Sequence, residues 1–237
     1  RMFFAAAGKK PVISRAPVWL FDVLAWVNKK KKNGKEAPKP LYDLTSLQVD
    51  CNNKFGMSAE MTLNIIQSLY EKKLTTYPRV DTTFLSDDIY PKCPQTLANL
   101  RGYESFTQPL AGKPLPKSKK VFDSSKVTDH HAIIPTGVIP QGLTELEQKV
   151  FDLVARAFIA AFYDDCKFET TTIMGEVKDN SDAGILFRTT GKVIIEEGWK
   201  VVFPHKSSRG ETPNPSLPTE AEAKEADDTL PIFEEGE

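Results

Sequence analysis

Apolar positions along the chain follow a helical period from about residue 41 to residue 166, then change to the short alternating runs of strands. LYDLTSLQVDCNNKFG predicts a helix closed by Gly56, placed as the left-handed residue just past a helix end. SAEMTLNIIQSLYEKK predicts a second helix, with Ser58 as N-cap and Met61, Ile65, Ile66, Leu69 and Tyr70 on one face. The period then breaks at KLTTYPRVDTTFLS. Ser86 can cap a short turn, Pro91 interrupts it, and Pro94 can open a helix through QTLANLRG. GKPLPKSKK reads as loop. Thr144, with Glu147 three residues on, forms a capping box and starts a long helix through Val150, Phe151, Val154, Phe158 and Phe162.

From Lys167 onward, KFETTTIMGEV, GILFRTTGKVII and GWKVVF are rich in β-branched and aromatic residues and predict strands, with KDNSDAG as the turn between the first two. The first forty residues also read as strand. Residues 206–228, rich in Ser, Pro, Glu and Asp, read as a mobile surface loop. The fold class expected is α+β. A helical domain, residues 42–166, is inserted into a discontinuous β-rich arch domain made of residues 1–41 and 167–237.

Composition narrows the function classes. Of 237 residues, 40% are hydrophobic and 27% charged, which is the balance of a soluble globular protein. The longest apolar run, VWLFDVLAWV at 18–27, is too short for a membrane span and contains Asp22, so no membrane partner is expected. No signal-peptide pattern opens the chain, and Arg1 follows no initiator methionine, so an excised piece of a longer protein is expected. Cys51, Cys93 and Cys166 form no CxxC pair, which suits a reducing cytoplasm and argues against zinc or disulfides. The only histidines are His130, His131 and His205, so no metal site is expected within this chain. Charge is divided unevenly. Residues 1–140 carry 21 basic and 12 acidic side chains, and residues 141–237 carry 10 and 20. A polyanion would bind the first part. A solvated lysine run at 29–32 with an acidic tail explains the same counts equally well.

Two stretches carry candidate chemistry. In an extended TYPRVD segment, residues two apart project to one side, which groups Tyr77, Arg79 and Asp81 and turns Val80 away. Pro78 fixes its own φ and pushes Tyr77 out of helical geometry. A guanidinium fork matches two phosphate oxygens, and a phenol beside a gripped phosphate is arranged for attack on a phosphodiester. A packed tyrosine beside an Arg79–Asp81 pair is the plainer alternative. The second stretch is TDHHAIIPTG, at 128–137. Side chains of adjacent histidines diverge, so a proton-handling or phosphate-binding role suits one of them better than a shared metal.

Taken in order, LYDLTSLQ, IQSLYE, TYPR.D and HHAIIPTG resemble the type IA DNA topoisomerases, and most of all their bacterial topoisomerase III branch. GKVIIEEGWKVVF and LPIFEEGE resemble the strands that return from the helical domain in that family. The resemblance covers most of the chain from Leu41 to Glu237. It implies that Tyr77 is the nucleophile joined to a DNA 5′-phosphate, that Arg79 positions the scissile phosphate, and that His130 stands near it. It places Arg79, His130, His131 and Asp81 on the DNA-binding surface. Val80 departs from the small hydroxyl residue common at its position.

The resemblance further implies single-stranded DNA as substrate, and the Toprim and remaining ring domains of a full-length chain as partners. Mg²⁺ would be bound by that Toprim domain, and no metal by this chain. The setting implied is the cytoplasm, at the nucleoid. A free phenol has a pKa of about 10 and is a poor nucleophile at neutral pH. The chain alone is therefore expected to be inactive, lacking the Mg²⁺ and lysine that complete the site. The alternative kept open is a non-catalytic module that binds single-stranded DNA.

Overall fold

The computed structural model describes residues 24–177 and 185–203. Its elements, in chain order, are β1 (Leu24–Glu36), α1 (Leu44–Phe55), α2 (Ala59–Glu71), α3 (Cys93–Ala98), α4 (Glu104–Thr107), α5 (Glu145–Ala160), β2 (Cys166–Val177) and β3 (Ile185–Glu196). The fold is thus mixed helix and sheet. The described residues form two compact units, one of residues 24–34, 168–177 and 185–194, the other of residues 35–167 and 195–203.

The helices of the larger unit begin and end where short polar signals place them. Asp43 caps α1, accepting from the Ser46 amide at 2.7 Å, and Ser46 returns the bond to complete a capping box. Gly56, at φ 68°, closes the helix in the left-handed region. Ser58 caps α2, and the Thr144/Glu147 box caps α5. α2 packs against both α1 and α5. Leu47, Cys51, Ile66, Leu69, Val150, Val154 and Phe158 are fully buried and form the core.

The buried side of α2 differs from the expected one. Thr62, Ile66 and Leu69 face the core, while Met61 and Tyr70 are each 38% exposed. Thr62 can sit inside because its hydroxyl donates to the Ser58 carbonyl at 3.0 Å.

Glu147 does more than cap. It is 5% exposed, and its carboxylate accepts from Lys72 Nζ at 2.7 and 2.8 Å and from Ser68 Oγ at 2.7 Å, tying the end of α2 to the start of α5. These bonds, the one from Lys72 first, hold its carboxyl down at about 2.

The three strands form one sheet in the order β1-β2-β3, so β1 and β3 are its edges. Across it, Lys31 meets Glu169 and Thr172 meets Thr190.

One expected strand is absent. Residues of GWKVVF form a 3₁₀ turn, Gly198–Val202. Gly198 takes φ 53° beneath the Asp164 and Asp165 carbonyls, where a Cβ would collide, and Trp199 is buried with its amide on the Asp164 carbonyl at 3.0 Å. Its indole N–H donates to the Glu36 carbonyl at 2.9 Å. Burying Trp199 in this way outweighs the β propensity of its neighbours. The α3 helix is also shorter than QTLANLRG suggests, stopping at Ala98. The 206–228 loop, the KDNSDAG turn, His205 and most of the 18–27 run lie outside the described residues.

Candidate active site

The segment carrying Tyr77 leaves α2 through a Schellman turn. The Lys73 amide donates to the Tyr70 carbonyl at 2.8 Å, and the Leu74 amide to the Leu69 carbonyl at 2.9 Å. Lys73 itself takes φ 61°, the only non-glycine residue with positive φ among those described. The chain then runs alongside 132–136. Thr76 donates its amide to the Ile134 carbonyl at 3.0 Å, and Thr136 donates its amide to the Leu74 carbonyl at 3.1 Å. Two hydroxyls pin the register. Thr76 Oγ1 accepts from the Ile134 amide at 3.0 Å and donates to the Ala132 carbonyl at 3.2 Å, and Thr136 Oγ1 donates to the Lys73 carbonyl at 2.5 Å.

The HHAIIPTG stretch is thus a strap, bonded on one side to the tyrosine segment. It is bonded elsewhere by the Ala132 amide to the Phe84 carbonyl (2.9 Å) and by the Ile133 amide to the Tyr42 carbonyl (2.8 Å). Tyr42 is not a rival nucleophile. Its hydroxyl donates to Asp50 at 2.6 Å, and burial, with the carboxylate beside it, pushes the phenol well above its usual range.

This stitching brings Tyr77 and His130 together. Their ring centroids lie 4.5 Å apart with planes tilted by 37°. Tyr70 meets Tyr77 edge-on, with ring centroids 5.5 Å apart. Tyr77 is half-buried, and His130 is exposed. Beyond Tyr77, burial alternates along the extended chain. Pro78, Val80 and Thr82 are buried, and Arg79 and Asp81 are exposed. The Val80 carbonyl accepts from the Leu44 amide at 3.1 Å, which holds this segment against the start of α1.

A cleft of about 520 Å³ opens there, lined by Thr45, Arg79, Asp81, Thr128, Asp129 and His130 over the apolar Leu44, Leu63 and Val80. Arg79 and Asp81 form no ion pair with each other. Tyr77 is outside the lining set, and His130 links it to the cleft. His131 is not in the cleft. It is half-buried, with Nδ1 2.8 Å from the Ala132 carbonyl, so Nδ1 carries the proton in that contact. Of the residues singled out in the sequence, Arg79, Asp81 and His130 share the cleft, Tyr77 touches it through His130, and His131 stands apart.

Sequence reasoning missed Thr45, Thr128 and Asp129 as cleft residues and Thr76 and Thr136 as the pins. Thr128, Asp129 and Thr136 lie inside the TDHHAIIPTG stretch and Thr76 directly precedes Tyr77, but no role for these threonines or for Asp129 was readable there, and Thr45 lies outside both candidate stretches. Among the described residues, no three His, Cys, Asp or Glu side chains gather to hold a metal ion. The cleft holds two carboxylates, Asp81 and Asp129, beside one guanidinium, Arg79.

The family pattern described as DNA topoisomerase matches residues 22–235. The DNA topoisomerase 3 of Bacillus cereus is 40% identical over 181 residues, 74% of this chain and 24% of that protein. That of Bacillus subtilis is 34% identical over 219 residues, 90% of this chain and 28% of that protein. This chain therefore spans about a quarter of the length of these relatives. In fold it resembles full-length topoisomerase I from Thermotoga maritima, with a TM-score of 0.55 and 24% identity, over 81% of this chain and 31% of that one. No helix among the described residues is long and apolar enough to cross a membrane. With nearly its whole length matched by the family pattern, this chain belongs to the type IA DNA topoisomerase family, on its topoisomerase III side.

Proposed function

We propose that the chain is the nucleophile-bearing section of an ATP-independent isomerase that cuts one strand of single-stranded DNA, passes another strand through, and reseals the break. The helical section would sit as an insertion in the β-rich arch. The Tyr77 hydroxyl oxygen attacks phosphorus, a phosphotyrosyl ester forms on the 5′ side, and the bond from phosphorus to the 3′-oxygen breaks. The proton lost by Tyr77 balances the one gained by the leaving 3′-oxygen, and the reverse reaction reseals the strand. Arg79 grips the two non-bridging oxygens with its fork. His130, packed on Tyr77 and lining the cleft, orients the phenol and handles the proton at its oxygen. The observation that carries this reading is the 4.5 Å contact of Tyr77 with His130, and the shared place of His130 and Arg79 in one cleft.

The charge in the cleft supports a split site. Arg79 shares the cleft with Asp81 and Asp129, so this chain supplies little net positive charge for a phosphate. The rest would come from the Toprim and ring domains of the full-length protein, where Mg²⁺ would be held, acting on DNA at the cytoplasmic nucleoid.

The test uses end-labelled single-stranded DNA with the full-length protein, stopped in detergent and run on a denaturing gel. A covalent protein–DNA band is expected, absent in Tyr77→Phe and absent for the 237-residue chain alone. A band that persists in Tyr77→Phe would overturn the assignment. DNA binding with no covalent band in the full-length protein would leave a binding module instead.

A further inference from the structure

We propose that one face of the three-stranded sheet is a second platform for single-stranded nucleic acid, in the unit that does not hold Tyr77. Residues two apart along a strand share a side, and three contacts show which residues share this one. A Cβ on Gly34 would run into the Phe168 ring, so the two face each other across β1 and β2. The Lys192 ammonium sits 4.0 Å from the centre of that same ring. Farther along, the Thr172 and Thr190 hydroxyls meet at 3.4 Å. By alternation, Lys30 and Lys32 of β1 and Arg188 of β3 belong to the same face.

The opposite face differs in charge. It carries Glu169, paired with Lys31 at 2.8 Å, and the exposed Val193. Glu169, the carboxylate paired with Lys31, is therefore on the far side. Lys30, Lys32 and Arg188 are exposed and have no ion-pair partner among the described residues. By the same alternation one acidic residue, Glu176 of β2, belongs to this face beside the four cationic ones, Lys30, Lys32, Lys192 and Arg188, so the face keeps a positive balance.

The dimensions suit a single strand. Lys30 and Lys32 stand about 7 Å apart along β1, a spacing at which an extended backbone presents successive phosphates. Three strands span about 10 Å from edge to edge, too narrow to seat both backbones of a duplex. Between the cationic edges lie an aromatic ring and a row of hydroxyls, which can stack on and hydrogen-bond to bases without reading sequence. Neither feature takes part in the chemistry at Tyr77, so the platform holds a strand rather than cutting it.

The experiment measures fluorescence anisotropy of labelled oligothymidine with the 237-residue chain over a range of salt. Lys30→Gln with Lys32→Gln is expected to weaken binding about tenfold or more near 0.1 M salt. It should also flatten the slope of log K against log salt by about 1.4, or 0.7 per lost phosphate contact. Adding Arg188→Gln should flatten it further. Lys29→Gln with Lys31→Gln removes the same charge from the same strand on the other face and should leave the slope nearly unchanged. Equal losses in the two pairs would mean that net charge, not this face, binds DNA, and no loss in the first pair would overturn the platform. Duplex of the same length bound as tightly as the single strand would overturn the choice of ligand. Tyr77→Phe should leave this binding intact while removing the covalent band in the full-length protein, so the two readings fail separately.

Discussion

The rings of Tyr77 and His130 lie 4.5 Å apart although the two residues belong to segments far apart in the chain. What joins those segments is the pairing of 74–76 with 134–136, locked by the Thr76 and Thr136 hydroxyls. His130 is exposed, so its loss should cost the fold little. In the full-length protein, His130→Ala is expected to slow covalent cleavage by at least tenfold, roughly the low end for a lost proton-handling group. The urea midpoint should stay where it was. Cleavage at the wild-type rate would make the ring contact a packing detail.

Arg79 offers a sharper test because charge and geometry can be separated. Arg79→Lys keeps the positive charge but loses the planar fork. Single-turnover cleavage by the full-length protein is expected to fall at least tenfold, or about 1.4 kcal/mol of transition-state stabilisation. Since Arg79 is exposed and pairs with neither Asp81 nor Asp129, stability should not change. A rate equal to wild type would show that any cation suffices there.

Much of the helical framework was legible in the sequence because its signals are local. Ser58, Gly56 and the Thr144/Glu147 box act within one turn of the helix ends they define. β2 and β3 were legible from their β-branched runs. The site was legible as residue types and by resemblance, but not as geometry. Pairing of Leu74 and Thr76 with Ile134 and Thr136 leaves no period in the sequence, since each hydroxyl answers a backbone group in the other segment. Thr62 reads as polar, yet it is buried, because its hydroxyl finds the Ser58 carbonyl. GWKVVF reads as strand, and only the burial of Trp199 turns it into a 3₁₀ turn.

Glu147 links stability to pH. Its carboxyl sits at about 2 in the folded chain against an ordinary 4.5, so the folded state favours the charged form. That stabilisation is fully present above about pH 4.5 and is lost as pH falls toward 2. Glu147→Gln keeps the size of the side chain but not the charge that meets Lys72. It should lower stability near pH 7 by about 2 kcal/mol and flatten the pH dependence between 4.5 and 2. Urea titrations at several pH values measure both. The same steepness in the variant as in wild type would assign the acid sensitivity to other carboxylates.

Lys73 is where the turn ahead of Tyr77 carries strain. A Schellman turn needs a left-handed residue just past the helix cap, and glycine meets that need without a Cβ penalty. Here the position is taken by a lysine at φ 61°, exposed and with no ion-pair partner among the described residues. The left-handed conformation costs a side-chain-bearing residue roughly 1–2 kcal/mol. Glycine adds back about 0.5–1 kcal/mol through the greater freedom of the unfolded chain. The balance favours Lys73→Gly by about 0.5–1 kcal/mol. Lys73→Ala keeps the Cβ and should bring no such gain, and Lys73→Val, branched at the same carbon, should be less stable than either. All three leave the Lys73 carbonyl free to accept from Thr136, so the strap that positions Tyr77 keeps its anchor. The measurement is the urea midpoint of the 237-residue chain at constant m-value. A glycine variant no more stable than the alanine variant would show that the turn holds no strain for glycine to release.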